Sequence, residues 1–322
     1  MLCDSFDIGG AETHILTLAN ALADRGHALT LITAGGAYTS ALRKEITVKL
    51  WPLGKKRCFL ENLFRLRRLW RKERFHLLHA HTRMSALLCR FTCPERTVVT
   101  AHWVFDTGFP KKQLSFWGRE TLAVSPDIKS YLQRFYGLRD DRIRVTVNGI
   151  DQALFAPKKK SEPPKISLCS RLDRDRALAT FHLLSASARL SDTVSFSLEI
   201  IGDGDCMEKL LALAVDLKKK HPRFSPSFLG GRTDVAALLA DTDIFVGVSR
   251  AALEALSAEC AVILAGNEGY LSIFEPSAPH EAEQSNFCCR GALAVTEEGL
   301  FADLARLLSL PQKERRALGE KG

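Results

Sequence analysis

Residues 243–270, which read DIFVGVSRAALEALSAECAVILAGNEGY, constrain the fold more than any other part of the chain. The apolar run 244–246 predicts a strand that is buried on both faces, and Gly247 allows a sharp turn after it. Ser249 is a favourable N-cap for a helix that runs to about residue 258, and a second apolar run follows that helix. The stretch therefore predicts a strand–helix–strand unit of a parallel α/β sheet.

The start of this helix suits a phosphate group, because the N–H groups of a first turn and the positive end of the helix dipole attract anions. Arg250 adds a positive charge there, and Glu254 lies one turn further on, where its carboxylate could accept hydrogen bonds from two ribose hydroxyls. The simpler interpretation is an ordinary βαβ unit in which the two side chains form an exposed i,i+4 ion pair, worth about 0.2–0.5 kcal/mol. Spacing alone favours that simpler interpretation.

The residue sequence of the segment favours the functional interpretation instead. SRAALEALSAECAVILAGNEG resembles the donor-binding segment of retaining glycosyltransferases of family 4, which have the GT-B fold. In that family a glutamate begins a turn and a second glutamate, eight positions later, holds the ribose of a nucleotide sugar, while intervening backbone amides hold the diphosphate. The resemblance assigns the ribose contact to Glu254, and further donor contacts to Gly247, Val248, Ser249 and Arg250. The first glutamate falls on Val246, which departs from the family pattern.

Length and charge are compatible with this resemblance. A chain of 322 residues suggests two domains, and a net charge of +8 favours anionic partners such as nucleotide phosphates, anionic lipid or nucleic acid. Nucleic acid is the least favoured of the three, because no recognition motif accompanies the charge. The sequence contains neither an apolar run of about 18 residues nor a signal pattern, so we expect a cytoplasmic protein. The nine cysteines show no zinc-site spacing, so we expect reduced thiols.

Residues 9–33, GGAETHILTLANALADRGHALTLIT, predict a Gly-Gly turn, a helix and a strand. Paired glycines allow a ligand to approach the backbone closely, but they are a weak signal alone. The whole segment resembles the first βαβ unit of the same family, which implies that Gly9 and Gly10 lie near the donor phosphates and the acceptor. Residues 1–4 are predicted to be the end of a preceding strand.

Three histidines, His79, His81 and His102, lie at the ends of two predicted strands and suggest a metal site. No carboxylate accompanies them, so we expect no metal, and we expect His79 to be a hydrogen-bonded core residue. The segment TVVTAHWV resembles the family's strand that ends in Thr-x-His, which implies that His102 contacts the transferred sugar. His81 and Arg83 are the candidates for lining the acceptor side.

The middle of the chain carries a domain boundary. Residues 148–155 contain the NGIDxxxF phrase that marks the end of the first domain in the family, and residues 156–165, APKKKSEPPK, have the composition of a linker. We therefore predict an N-terminal acceptor-side domain over residues 1–156, a linker over 157–164 and a C-terminal nucleotide-sugar-binding domain over 165–322.

Two arginines follow the first strand of the C-terminal half. Arg171 and Arg176 could hold a diphosphate, because planar guanidinium groups bind phosphate oxygens bidentately, although an exposed charged loop is the alternative. SRLDRDR resembles the family's G-R-L-x-x-x-K-G motif, which implies that both arginines neutralise the leaving diphosphate, with Arg176 in place of the usual lysine. FLGGR, at residues 228–232, resembles the loop that holds the nucleotide base through its backbone, which implicates Gly230.

Residues 55–74, KKRCFLENLFRLRRLWRKER, predict a basic amphipathic helix with nine Lys or Arg and two Glu. We expect its apolar stripe, which consists of Phe59, Leu63, Leu66 and Trp70, to pack on the sheet. The basic residues favour contact with an anionic membrane surface, so we expect a peripheral position on the inner face of the membrane.

Together these patterns predict an α/β protein with two Rossmann-like, doubly wound domains that face each other across a cleft, as in the GT-B fold. The resemblance implies retaining, metal-independent transfer of a hexosyl or N-acetylhexosaminyl group from a nucleoside diphosphate sugar to a hydroxyl acceptor, in envelope glycan or glycolipid synthesis. It implies no cofactor, and a β-phosphate oxygen of the donor as the base. Two alternatives keep the fold: a non-catalytic or decayed nucleotide-sugar-binding protein, and a nucleotide-sugar epimerase, which would need acid and base carboxylates.

Overall fold

The structure is a computed structural model that describes residues 1–158, 162–277 and 279–321. It divides into two compact units, Met1–Gly149 and Ile150–Gly322. This boundary comes earlier in the chain than the predicted domain end at residue 156, and part of the predicted linker, residues 159–161, lies outside the described residues. In the described part of the chain, no helix is long and apolar enough to cross a membrane.

The N-terminal unit is built on short parallel strands: β1 (Thr30–Thr33), β2 (Thr47–Leu50), β3 (Leu78–Ala80), β4 (Thr97–Ala101), β5 (Glu120–Ala123) and β6 (Ile143–Val145). β1 pairs with β2, and β3 to β6 pair in sequence order. Leu2 connects these two groups, because it forms parallel bridges to both Ile32 and Ala80. The resulting order, β2–β1–Leu2–β3–β4–β5–β6, reverses direction at Leu2, which is the strand end that the sequence predicted at residues 1–4.

The helices of this unit are α1 (Gly10–Asp24), α2 (Phe59–Glu73), α3 (Arg83–Arg90) and α4 (Pro126–Tyr136). Each has a local cause. α1 follows the extended Gly9, and α3 begins at a capping box in which Thr82 accepts a hydrogen bond from the Ser85 amide. α4 has Pro126 in its first turn and ends at Gly137, whose φ of 67° suits a residue without Cβ. On α2, Leu63 and Leu66 are buried while Phe59 and Trp70 pack against the core, as predicted.

The C-terminal unit contains a six-stranded sheet made of β7 (Lys165–Cys169), β8 (Ser197–Ile201), β9 (Ser227–Gly230), β10 (Ile244–Gly247), β11 (Ala261–Gly266) and β12 (Gly269–Ile273). Its order is β9–β8–β7–β10–β11–β12, and only β12 runs antiparallel to its neighbour. This is the doubly wound dinucleotide-type order, in which the strand order reverses between β7 and β10. The prediction of a doubly wound α/β fold is therefore confirmed.

The helices of the C-terminal unit are α5 (Leu178–Leu190), α6 (Met207–Lys220), α7 (Val235–Leu239), α8 (Ser249–Ser257), α9 (His280–Gln284), α10 (Glu297–Ser309) and α11 (Gln312–Glu320). Both faces of the sheet are covered. Ile244 and Val246 of β10 belong to one apolar cluster, while Phe245 between them belongs to another. Such burial on both faces explains why the sequence of β10 is a continuous apolar run rather than an alternating one.

Candidate functional site

In the C-terminal unit, the predicted donor-binding residues follow two neighbouring strands. β7 and β10 are hydrogen-bonded in parallel, with Leu168 opposite Val246. Arg171 follows the end of β7 and α8 follows the end of β10, so both lie at the carboxyl edge where the strand order reverses. In open α/β sheets, ligands bind at this edge and at this reversal. The topology therefore brings the arginine loop and the start of α8 to the ligand-binding position of the fold.

The start of α8 differs in detail from the prediction. Val248 is the N-cap, and Ser249, which we expected to be the N-cap, is the first helical residue with a φ of +58°. A positive φ is uncommon for a residue with a side chain and stores strain at this turn. The Ser249 N–H donates to the carbonyl of Phe287 at 2.7 Å. One amide of the predicted phosphate-binding turn is therefore already hydrogen-bonded within the protein.

Glu254 and Arg250 form a buried ion pair. Arg250 Nε donates to Glu254 Oε1 at 2.8 Å, and the two residues are only 4% and 7% exposed. The simpler interpretation from spacing correctly paired the two residues, but its prediction that the pair is exposed is wrong. Burial raises the pKa of the Glu254 carboxyl, and the charge and hydrogen bond of Arg250 oppose that rise. The buried hydrogen bond from Arg250 holds the Glu254 carboxylate in a fixed position. Removing either partner would leave the other charged, buried and unpaired, which is costly.

Arg171 and Arg176 are about half exposed, at 49% and 48% of their side-chain surface. Each has an aspartate of its own loop within long ion-pair distance: Arg171 Nε lies 3.7 Å from Asp173, and Arg176 Nε lies 3.6 Å from Asp175. Such exposed pairs are weak. Both guanidinium groups can therefore exchange their aspartate for an incoming anion at little cost.

The backbone of the arginine loop is fixed by contacts with the loop after β8 and with Asn267. Gly202, with a φ of +142°, lies so close to Ser170 that a Cβ there would be 1.8 Å from the Ser170 carbonyl oxygen. Leu172 N–H donates to the Asp203 carbonyl at 2.9 Å. On the other side, Asn267 accepts from the Leu178 amide at 3.1 Å and donates to the carbonyl of Asp175. Gly202 belongs to the sequence IGDG at residues 201–204, and such close backbone approach requires glycine.

The remaining predicted glycines have distinct surroundings. Gly247 ends β10, and a Cβ there would lie 2.8 Å from the ring of Phe245. Gly230 has a φ of +68° and its carbonyl accepts from the Gly202 amide at 2.8 Å, so this carbonyl is already used inside the protein. Gly9 precedes α1, and its carbonyl accepts from both the amide and the hydroxyl of Thr13.

In the N-terminal unit, the strand order reverses between Leu2 and β3, and histidines gather at the ends of β3 and β4. His81 Nδ1 lies 3.1 Å from His102 Nε2, and the ring of His14 packs edge-on against the ring of His102 with centroids 4.9 Å apart. His14, the fifth residue of α1, was not predicted to be a site residue. Its Nδ1 donates to Asn148 Oδ1 at 3.0 Å, a contact that spans 134 positions of the chain. Its position four residues after Gly10 is a weak sequence signal for such a role.

Burial disfavours the protonated ring in His79, His81 and His102. His79 is buried and bonded to the Thr100 hydroxyl at 2.7 Å, as predicted, and burial lowers its pKa to about 3. Burial, followed by the charges of neighbouring histidines, also holds the pKa values of His81 and His102 well below the usual 6.5. Neutral imidazoles can donate or accept hydrogen bonds and can ligate metals, but they do not attract anions as arginine does.

Arg83, a predicted acceptor-side residue, is held within its own unit. Its Nη2 donates to the Asp106 carbonyl at 2.7 Å, and its guanidinium lies 5.2 Å from the centre of the Phe105 ring. Next to it, the Thr82 hydroxyl donates to the carboxylate of Asp4 at 2.5 Å, and burial raises the pKa of Asp4. Arg83 is thus oriented by neighbours, and whether it contacts an acceptor stays a prediction.

The model of the family described as Glycosyltransferase Family 4 matches residues 8–154, which include most of the N-terminal unit. No curated protein matches the chain. Among solved structures, a glycosyltransferase from Rickettsia africae is 18% identical with a TM-score of 0.70, over 99% of this chain and 92% of that chain.

Two further structures have the same fold. WaaG, a glycosyltransferase involved in lipopolysaccharide biosynthesis, is 17% identical with a TM-score of 0.71, over 99% of this chain and 92% of WaaG. HepE from Anabaena, in complex with UDP and glucose, is 18% identical with a TM-score of 0.70, over 99% of this chain and 92% of HepE. These findings confirm the predicted resemblance: residues 8–154 match the family 4 model, and the chain has the GT-B fold of these glycosyltransferases.

Proposed function

We propose that this chain is a retaining glycosyltransferase that moves a hexosyl or N-acetylhexosaminyl group from a nucleoside diphosphate sugar to a hydroxyl acceptor. The observation that carries the proposal is the carboxyl edge of β7 and β10. There the fold's ligand-binding reversal coincides with two exposed arginines and a buried carboxylate held by a buried arginine. Cations at this edge suit a diphosphate, and a fixed carboxylate suits a ribose.

In this proposal, Arg171 and Arg176 stabilise the charge that develops on the departing diphosphate, and Glu254 accepts hydrogen bonds from the ribose hydroxyls. The turn at Gly247 and Val248 approaches the diphosphate, and Ser249 joins it by exchanging the Phe287 carbonyl for a phosphate oxygen. Gly230 lies beside the base. The β-phosphate oxygen on the leaving-group face takes the acceptor proton, so the sugar transfer requires neither a metal nor a protein nucleophile.

The N-terminal unit supplies the acceptor side. His102 contacts the donor sugar, Gly9 and Gly10 allow close approach at the start of α1, and His81 and Arg83 line the acceptor region. The His81 contact to His102 at 3.1 Å supports this assignment, because it fixes the orientation of the His102 ring.

UDP-glucose is the first donor to test, because HepE, which has the same fold, binds UDP and glucose. Turnover with a panel of UDP-, GDP- and ADP-sugars would be measured for the wild type, Arg171→Ala and Glu254→Gln. We expect Arg171→Ala to lower kcat by about 10²–10³-fold, as for other groups that stabilise a developing anion. Glu254→Gln should mainly raise KM, by about 10–100-fold, because a hydrogen bond to a charged group is worth about 1.5–3 kcal/mol.

Arg306→Ala is the matched control, since Arg306 is an exposed arginine of the same unit with a similarly long ion pair of 3.6 Å to Glu275. Its kinetics should equal those of the wild type. Wild-type rates in both Arg171→Ala and Glu254→Gln would reject the assigned roles.

A non-catalytic protein is the second candidate, and one observation favours it. Val246, which occupies the position of the family's first glutamate, lies inside β10 and is fully buried. Val248 alone separates β10 from α8, so the connection contains no room for a glutamate-bearing turn of the kind that the resemblance implied. Calorimetry that detects binding of a nucleotide sugar, without turnover across donors and acceptors, would favour this candidate.

We also propose that α2 contacts an anionic membrane surface, where a lipid-linked acceptor would be located. Leu60 and Phe64 lie one turn apart on α2 and are 66% and 67% exposed, and basic residues from the same helix surround Phe64: Arg67, Arg68, Arg71 and Lys72. Apolar anchors with flanking cations suit an anionic lipid surface, as a lipid-linked acceptor in envelope glycan or glycolipid synthesis would require. Phe64→Ser should reduce co-sedimentation with vesicles containing phosphatidylglycerol, whereas exposed Phe135→Ser should not. Equal sedimentation with neutral vesicles would contradict the proposal.

A further inference from the structure

Three histidines of the N-terminal unit converge from separate elements. His14 is the fifth residue of α1, His81 follows β3 and His102 follows β4. One ring nitrogen from each lies within 4.8 Å of the other two. The His81 Nδ1 and His102 Nε2 atoms are 3.1 Å apart. In a tetrahedral zinc site with zinc–nitrogen bonds of about 2.0–2.1 Å, ligand nitrogens lie roughly 3.3 Å from one another, so this spacing is close to that of a metal site.

The environment of His14 also fits a metal ligand. Its Nδ1–H donates to Asn148 Oδ1 at 3.0 Å, which fixes the tautomer and leaves the lone pair on Nε2. Histidines that ligate metals nearly always donate their second ring N–H to an oxygen in this way. The contact connects α1 to the far end of the unit's sequence, so it is a tertiary feature rather than a local turn.

His81 supplies an independent observation. It is 1% exposed, and its Nε2 has no hydrogen-bond partner within the part of the chain that the structure describes. A buried nitrogen without a partner costs about 1–3 kcal/mol, and such atoms in native proteins usually indicate a missing water or ion. The ring is in contact with both His79 and His102, with centroids 4.1 Å and 5.4 Å away. Because no protein group in the described residues fixes Nε2, the ring proton can occupy that nitrogen and leave the Nδ1 lone pair, which faces His102, for a metal ion.

We propose that His14, His81 and His102 bind one divalent transition metal ion, of which zinc is the best match. Each neutral imidazole offers one lone pair, so three metal–nitrogen bonds form without the release of a proton; where a ring proton occupies the ligating nitrogen, it moves to the other nitrogen of the same ring. An imidazole-only set suits zinc, copper or nickel rather than magnesium or calcium, which prefer oxygen ligands. Three protein ligands leave a fourth position for water or a ligand.

This metal would regulate the enzyme rather than serve the sugar transfer. If His102 contacts the donor sugar, a metal bound to its ring competes with that contact, so zinc inhibits transfer; this consequence rests on the proposed function. It differs from our expectation from the sequence, which predicted no metal because no carboxylate accompanies the histidines. The structure adds His14, which the sequence did not place near the other two.

Zinc binding by the untagged full chain, after removal of metal with a chelator, would be measured by calorimetry, and the visible absorption of bound Co²⁺ would report tetrahedral geometry. We expect one equivalent per chain. His14→Gln and His102→Gln should each weaken binding at least about tenfold, and Asn148→Ala should weaken it by about 10–100-fold, as for other residues that support a ligand. Asn148→Asp should restore binding, because its carboxylate accepts the same hydrogen bond.

His27→Gln and His76→Gln are the matched controls, since both histidines are exposed and lie in the same unit. They should bind zinc like the wild type. Circular dichroism melting of each variant checks that the fold is intact. The proposal is overturned if the wild type takes up no zinc at micromolar concentration, or if the double variant His14→Gln/His102→Gln binds as tightly as the wild type.

The effect of zinc on turnover is a separate test, of the regulatory role. Where turnover is detected, zinc should inhibit it at the concentration at which zinc binds, and inhibition should weaken in Asn148→Ala. Turnover that is unchanged at saturating zinc would overturn the regulatory role while the binding result stands. Absence of turnover with every donor would count against the proposed function, and calorimetry alone would then decide the metal site.

Discussion

The two units share a strand order around the point where it reverses, yet they place opposite chemistry at that point. In the N-terminal unit, β3 and β4 are followed by the buried His81 and the partly buried His102, and loss of solvation lowers the pKa of both rings. In the C-terminal unit, the ends of β7 and β10 carry exposed arginines and a buried Arg250–Glu254 pair. The fold therefore fixes where ligands meet each sheet, while a few side chains decide whether that edge suits a neutral or an anionic group.

Acidification should give the largest difference in stability between the two units, by destabilising the N-terminal one. In the metal-free protein, His79, His81 and His102 have folded pKa values below the usual 6.5, because burial and then neighbouring charges disfavour the protonated ring. The stability that they contribute is present above about pH 6.5 and is lost as the pH falls below that value, with the part due to His79 lost by about pH 3. With three protons involved, the steepest loss is about 4 kcal/mol per pH unit.

Tryptophan fluorescence measures this loss selectively, because all four tryptophans, Trp51, Trp70, Trp103 and Trp117, belong to the N-terminal unit. Unfolding of this unit should precede that of the C-terminal unit, which hydrogen exchange would follow. His27→Gln should leave the acid transition unchanged, since His27 is exposed. A transition that is independent of pH between 6.5 and 4 would break the comparison.

Arg250→Met should destabilise the C-terminal unit by about 3–5 kcal/mol, because it leaves Glu254 charged, buried and unpaired. Arg250→Met/Glu254→Gln should recover much of that loss. Hydrogen exchange or denaturant unfolding followed by circular dichroism measures the change, and tryptophan fluorescence should not respond. Arg232→Met is the control: Arg232 is 41% exposed in its pair with Asp234, and such pairs are worth about 0–1 kcal/mol. Equal losses in the two arginine variants would contradict a buried pair.

Gly202→Ala should cost about 1–3 kcal/mol, because its φ of +142° is nearly restricted to glycine and the new Cβ would meet the carbonyl of Ser170. The displaced arginine loop should also lower turnover. Gly9→Ala is the counterpart in the N-terminal unit, where a Cβ meets only the side chain of Glu12, which can rotate away. Its expected cost is below about 1 kcal/mol, as for other changes at an N-cap. Stability measurements that reverse this order would show that the first unit is the more tightly constrained.

Thr82→Ala should have the smallest effect, about 1 kcal/mol, through loss of the α3 cap and of the hydrogen bond to Asp4. Chemical denaturation followed by tryptophan fluorescence measures it. Thr92→Ala is the control, since Thr92 lies just after α3, its hydroxyl donates to the carbonyl of Leu88 in that helix, and the expected change is within about 0.5 kcal/mol. A similar loss in both variants would remove the special role of Thr82 beside the histidines.

Local patterns were sufficient for much of the fold. The apolar run before Gly247 predicted β10, and Ser249 predicted a helix after it, because both depend on residues within a few positions; the N-cap itself is Val248. The stripe of α2 was predicted from helical periodicity for the same reason. The alternation of strands and helices predicted the doubly wound class, but no local pattern encodes which strands are neighbours, such as β7 and β10.

Contacts between distant residues were not predictable in this way. The convergence of His14 with His102 and Asn148 depends on the whole N-terminal sheet, and no spacing encodes it. The engagement of the Ser249 amide by Phe287 depends on a segment that follows β12, so the sequence could only indicate a helix start. The burial of the Arg250–Glu254 pair likewise arises from packing, whereas i,i+4 spacing is the same for exposed and buried pairs.

The distribution of the nine thiols allows one position in each unit to be labelled selectively. Six are buried, and Cys58, Cys169 and Cys288 are partly exposed. Burial raises the pKa of Cys169 to about 12, so it should react slowly with maleimides. Cys58 and Cys288 then remain, one in each unit, as attachment points for a donor and an acceptor fluorophore. Energy transfer between the two dyes would test whether the distance between these two positions changes when a nucleotide sugar is added, without engineering a single new cysteine.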